Sequence, residues 1–126
     1  MAAIKNYTSL EQSKVLSKIL PLKSADMYYS HEFVNSAGDY YKINIASEGY
    51  FDDVELLGSD VPAWSLASLL DVLPVGTESH KQTDGSISYY HVEVYNNKKY
   101  FSTKRYGNLI DACYEMILKL RELKIL

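Results

Sequence analysis

A single cysteine, Cys113, is all the thiol this chain carries, so no intrachain disulfide and no cysteine-based zinc cluster can form. Three prolines and six glycines in 126 residues are too few for a collagen-like or low-complexity chain. No glycine-rich phosphate loop, no G-x-G-x-x-G and no G-x-S-x-G is present, which removes the commonest nucleotide and hydrolase signatures. Positive charge is not in excess. Thirteen Lys and Arg against sixteen Asp and Glu leave −3, so bulk electrostatic binding of nucleic acid is not expected. Long hydrophobic runs are missing as well. The longest are broken by Ser65, Ser68 and Asp71 or by Glu115 and Lys119, short of the ~20 apolar residues that span a bilayer. The opening MAAIKNYTSLEQ lacks the apolar stretch of a secretory leader. These absences together lead to the expectation of a cytoplasmic protein with no membrane contact.

What is present is a core. With 47% hydrophobic residues the chain can bury roughly two thirds of its unfolded surface as one domain over residues 1–126. Three segments carry helical periodicity. Residues 9–20 follow a Thr8-x-x-Glu11 capping pattern, with Val15, Leu16, Ile19 and Leu20 as the apolar stripe. Residues 60–73 hold Pro62 in the expected first turn and Leu66, Leu69, Leu70 and Leu73 on one face. Residues 109–124 are preceded by the cap candidate Asn108, and their stripe runs Leu109, Ala112, Cys113, Met116, Ile117, Leu120, Leu123.

Between the helices the period falls to two. Strands are expected at 25–34, 40–46, 52–57, 78–83, 86–95 and 98–104. The connecting turns are Asn35–Asp39, Asp84-Gly85 and Asn96-Asn97. The order α-βββ-α-βββ-α predicts an α+β fold: an antiparallel sheet of about five to six strands with three helices.

Three stretches resemble a known group. SLEQSKVLSKILPLKSADMYY (9–29), PAWSLASLLDVLP (62–74) and DACYEMILKLRELKIL (111–126) are similar to segments of uncharacterised short proteins from gut Bacteroidales genomes and their phages or other mobile elements. The resemblance covers about half the chain in the same order. It implies a small accessory protein of a mobile element and carries no activity or residue role.

Candidate chemistry is sparse. His91 and Glu93 alternate onto one strand face, and His80 or His31-Glu32 are further metal-ligand candidates, but no spacing enforces convergence. No metal or cofactor is therefore expected. Cys113 sits within an apolar stripe, where a thiol is inert. No constellation for catalysis emerges, so an enzyme is not expected. Between Ile43 and His80 seven acids (Glu48, Asp52, Asp53, Glu55, Asp60, Asp71, Glu78) occur with no Lys or Arg, a pattern usual for a solvated face.

Twelve tyrosines stand out. The pairs Tyr28-Tyr29, Tyr40-Tyr41 and Tyr89-Tyr90 each send one ring inward and one outward. Tyr40, Tyr89, His91 and Tyr95 are thus expected on an outward face, Tyr90 with Val92 and Val94 inward. On the last helix Tyr114, Leu118 and Ile125 lie off the core stripe, and Trp64 is expected to project from the second helix with Asp71. Exposed aromatic and apolar side chains of this kind favour a protein partner or a homo-oligomer. The leading expectation is a non-catalytic protein-interaction or self-associating accessory protein of a phage or mobile element. The alternative is a nucleic-acid-binding module built on the basic aromatic hairpin 98–105, with Lys98, Lys99, Tyr100, Lys104 and Arg105 as its contacts.

Overall fold

The structure, a computed structural model, describes residues 5–34, 38–46 and 60–126. The expected strand at 52–57, the acids Glu48, Asp52, Asp53 and Glu55, and turn residues 35–37 lie outside them. Among the described residues the chain is α+β, with three helices and six antiparallel strands. The order is α1 (Leu10–Leu16), a 3₁₀ turn (Leu22–Ser24), β1 (Met27–Val34), β2 (Gly38–Ile45), β3 (Val61–Ala63), α2 (Leu66–Val72), β4 (Thr77–Asp84), β5 (Ile87–Asn96), β6 (Lys99–Ser102) and α3 (Leu109–Glu122). The strands form two three-stranded sheets, β2-β1-β3 and β4-β5-β6, rather than the one sheet expected. The chain gathers into two compact units, one of residues 7–68 and one of residues 69–126 with the N-terminal segment through Asn6.

In the first unit, α1 starts one residue later than its pattern suggests. Ser9 is the N-cap: Gln12 N–H donates to its Oγ and Ser9 N–H donates to Gln12 Oε1, a reciprocal capping box. Thr8 is freed for the core. Its Oγ1 pairs with Ser13 Oγ and accepts the Trp64 N–H, and its carbonyl accepts the Tyr29 hydroxyl. The helix closes at Leu16, which is buried, while Val15 is exposed rather than part of the stripe.

Residues 61–63 are strand, not the first turn of a helix. A residue before proline is driven towards extended backbone, and proline is tolerated on a sheet edge because its missing N–H faces outward. Pro62 lies on such an edge, with β3 pairing only β1. The helix waits for Ser65, whose N–H and hydroxyl both donate to the Asp26 carboxylate and whose Oγ accepts the Ser68 N–H. This reverses the placement of Trp64. Its side chain is 0% exposed, its indole N–H donates to Ser24 Oγ at 3.0 Å, and Thr8 holds its backbone N–H and carbonyl. Trp64 is therefore core and leaves the set of outward candidates. Leu69 on α2 and Leu73, just past its end, are buried, and Leu70 is exposed.

In the second unit α3 packs against β5. Asn108 caps α3, accepting the Asp111 N–H at 2.8 Å, and Asp111 pairs with Lys5 at 2.7 Å. Ile110, Ala112, Cys113, Met116, Ile117 and Leu120 are buried, opposite Val92 and Val94 of β5. Leu123 falls outside this stripe and is half exposed, because α3 ends at Glu122 and the backbone turns left-handed at Lys124. Among the described residues no helix is long and apolar enough to cross a membrane.

Candidate functional site

The second sheet has two unlike faces. Tyr90, Val92 and Val94 point towards α3, and Val92 and Val94 are fully buried. Ile87, Tyr89, His91, Glu93 and Tyr95 alternate onto the other face, as period-two geometry requires. Cross-strand register completes that face. His80 lies opposite His91, Glu78 and Ser102 flank Glu93, and Tyr100 lies opposite Tyr95.

The two hairpin turns set this register, and each sits one residue beyond the position its composition suggests. Asp84 pairs with Ile87, leaving Gly85-Ser86 as the loop, with positive φ at Gly85 alone. That is the pattern of a type II′ turn, which needs only its first residue to be glycine. A loop at Asp84-Gly85 would have placed His80 opposite Tyr89. At the other end Asn96 pairs with Lys99, so the loop is Asn97-Lys98, with φ of 49° and 64°. Two positive φ values in succession make a type I′ turn.

The centre of the face is a charged and aromatic cluster. The rings of His80 and His91 stack at 4.7 Å between centroids and 8° between planes. His80 Nε2 lies 2.8 Å from Glu93 Oε2 and 3.3 Å from Glu78 Oε2, and His91 Nε2 lies 3.1 Å from Glu93 Oε1. The Tyr100 hydroxyl donates to the Glu93 carboxylate and holds it below the ordinary carboxylate range. Burial opposes this, while a hydrogen bond from His91 and the charges of His80 and His91 add to it. The same bond pushes the Tyr100 phenol up to about 12. Next to the cluster the Tyr95–Tyr100 pair stands in solvent, 57% and 59% exposed.

The candidate residues read from sequence are thus divided. Tyr89, His91 and Tyr95 share one face as expected. Tyr40 is exposed but belongs to β2 of the first sheet, so it shares no sheet face with them. Tyr114 and Leu118 on α3 are half-buried, and burial raises the Tyr114 phenol. His31 also sits in the first sheet, its ring 5.2 Å from Tyr41. Cys113 is fully buried, and burial pushes its thiol up to about 12. Lys98, Lys99, Lys104 and Arg105 are exposed, and Lys99 alternates to the side of β6 opposite Tyr100. Lys99 and Phe101 line a cleft with Asn96, Asn97, Leu123 and Ile125, whereas Tyr100 points to the opposite side beside Glu93.

Three members of this face were not placed on it by the sequence: Ile87 had no reading, Glu78 was one of seven acids in a solvated run, and Tyr100 was a contact of the nucleic-acid alternative. Ile87 is exposed beside Tyr89, Glu78 is a neighbour of His80, and Tyr100 serves Glu93 rather than a basic platform. The Gly85-Ser86 dipeptide was the available pointer, since that loop brings His80 to His91. No known family model, curated protein or solved structure matches the chain.

Proposed function

We propose that this chain is a non-catalytic, protein-binding accessory protein of a phage or mobile element, and that it binds through the open face of the second sheet. The exposed cross-strand pair Tyr95–Tyr100 carries this reading. Tyrosine supplies large contact area at low entropic cost, and exposed aromatic pairs are the usual anchors of protein interfaces. Ile87 and Tyr89 extend the apolar strip along β5, and His91, Glu93 and Glu78 provide polar groups within it. The resemblance of residues 9–29, 62–74 and 111–126 to Bacteroidales and phage sequences supports the mobile-element setting.

The test is capture from host lysate by the wild-type chain and by the Tyr95→Ala/Tyr100→Ala double variant. Loss of a specific captured protein in the double variant, with retention by Tyr40→Ala, is the expected result. Equal capture by all three overturns the choice of face. The nucleic-acid alternative finds a weaker footing, because Tyr100 is committed to a carboxylate and faces away from Lys99. Retention on single-stranded nucleic acid at low salt that is lost with Lys98, Lys99, Lys104 and Arg105 would replace the protein reading.

A further inference from the structure

We propose that His80, His91 and Glu93 form a binding site for a divalent transition-metal ion, zinc in the first instance. The three side chains each bring one ligand atom to within 4.8 Å of the other two. Both Nε2 atoms lie close to one carboxylate, each beside its own oxygen, at 2.8 Å for His80 and 3.1 Å for His91. Ligand atoms about 2.0–2.2 Å from a tetrahedral zinc ion lie roughly 3.3 Å from one another, so small side-chain rotations suffice to admit it.

His80 supplies an independent observation. Its Nε2 is enclosed and makes no hydrogen bond of acceptable direction, although two carboxylate oxygens lie close by. An enclosed ring nitrogen beside an anionic oxygen, without an aligned proton between them, is satisfied when both bind one cation. His80 and His91 are direct cross-strand partners, so the hairpin holds both imidazoles side by side; their rings lie parallel and must tilt for both Nε2 lone pairs to converge on one ion. The Tyr100 hydroxyl donates to Glu93 and fixes its orientation, the supporting role that outer hydrogen bonds play at metal centres. Two neutral imidazoles with one carboxylate suit zinc and its neighbours rather than the oxygen-seeking magnesium or calcium. Glu78, 3.3 Å from His80 Nε2 and largely exposed, lies outside this close group, so the fourth position would be open to solvent. The site would tie β4 to β5.

This inference does not depend on a protein partner, and zinc alone tests it. Chelator-stripped, tag-free protein is titrated with zinc chloride against a chromogenic competitor at neutral pH. Saturable one-to-one binding is expected, weakening on acidification as protons compete for the imidazoles. His80→Gln, His91→Gln and Glu93→Gln should each weaken it by about tenfold or more, while His31→Gln leaves it unchanged. Because a variant can loosen the hairpin, imidazole nitrogen chemical shifts of the wild-type chain are followed in the same titration. Movement at His80 and His91 with His31 unmoved supports the site. Absence of saturable binding, binding indifferent to all three substitutions, or shifts centred on His31 overturns it. Two histidines that respond to protons but ignore zinc also overturn it, and assign the cluster to a shared proton.

Discussion

Cys113 illustrates how one residue's surroundings settle its chemistry. The thiol is enclosed among Ile110, Met116 and Ile117 on α3, and desolvation alone pushes it up to about 12. Thiol reagents should therefore label the native chain slowly and the denatured chain fast. Cys113→Ser should lower stability by about 1–3 kcal/mol, because the hydroxyl is buried without an assured partner. Rapid labelling of native protein would contradict the burial. Glu93 gives a pH prediction. Its carboxyl is lowered in the folded state, mainly by the Tyr100 hydroxyl, so its contribution to stability is present above the ordinary carboxylate range. It is lost as pH falls through the lowered folded value. Tyr100 has the opposite sign: its phenol is raised, so its contribution is present below 10 and lost as pH rises through about 12. The stability difference between wild type and Tyr100→Phe should accordingly shrink as Glu93 is protonated. Denaturant midpoints from neutral to acid pH check this, and a constant difference would show that Tyr100 does not act through Glu93.

At the scale of elements, two ends of structure place lysine where glycine is favoured. Lys98 occupies the second position of the type I′ turn at φ 64°. Lys124 closes α3 at φ 60°, with its own N–H donating to the Arg121 carbonyl and that of Ile125 to the Leu120 carbonyl. This pair of bonds is a Schellman motif, whose left-handed residue is usually glycine. A left-handed conformation costs an L-residue roughly 1–2 kcal/mol, part of which glycine returns through its freer unfolded state. Lys98→Gly and Lys124→Gly should each raise stability by about 0.5–1 kcal/mol. Gly85→Ala should lower it by about 1 kcal/mol despite open space around its Cβ, because φ there is 63°. Thermal unfolding of the three variants decides the signs. The exposed edge β4 reads TESHKQTD, polar on nearly every position, which discourages edge-to-edge pairing with other chains.

For the whole molecule, the partner reading and the alternation of β5 make separate demands. Tyr114 and Leu118 lie on α3 away from its buried stripe and are half-covered. If this strip meets a second copy, sedimentation at micromolar concentration will show a concentration-dependent species that Leu118→Asp removes. A strict monomer whose stability is unchanged by Leu118→Asp ends that reading and leaves the open sheet face alone. The fold class was legible in the sequence because amphipathic periods and caps are short-range. The α3 stripe from Ala112 to Leu120, the Asn108 cap and the inward Val92 and Val94 all follow from spacing on one element. Half the candidate face was legible for the same reason, since Tyr89, His91, Glu93 and Tyr95 need only alternation.

What the sequence determined by itself was therefore local: helical and extended periods, the buried thiol, the outward side of β5. The tertiary structure decided everything that depends on a partner strand. Whether Val61-Pro62-Ala63 was strand or helix turned on β1 being beside it, and with that choice Trp64 went from surface to core. Tyr40 was separated from Tyr89 because the strands of the described residues pair as two sheets rather than one. His80 met His91 because a single glycine took the left-handed conformation at the first loop position. A one-residue shift of a turn leaves each side chain on its own face and changes the residue it faces by two. Pairing across strands, which no single-strand pattern encodes, is what assembled the His80–His91–Glu93 cluster.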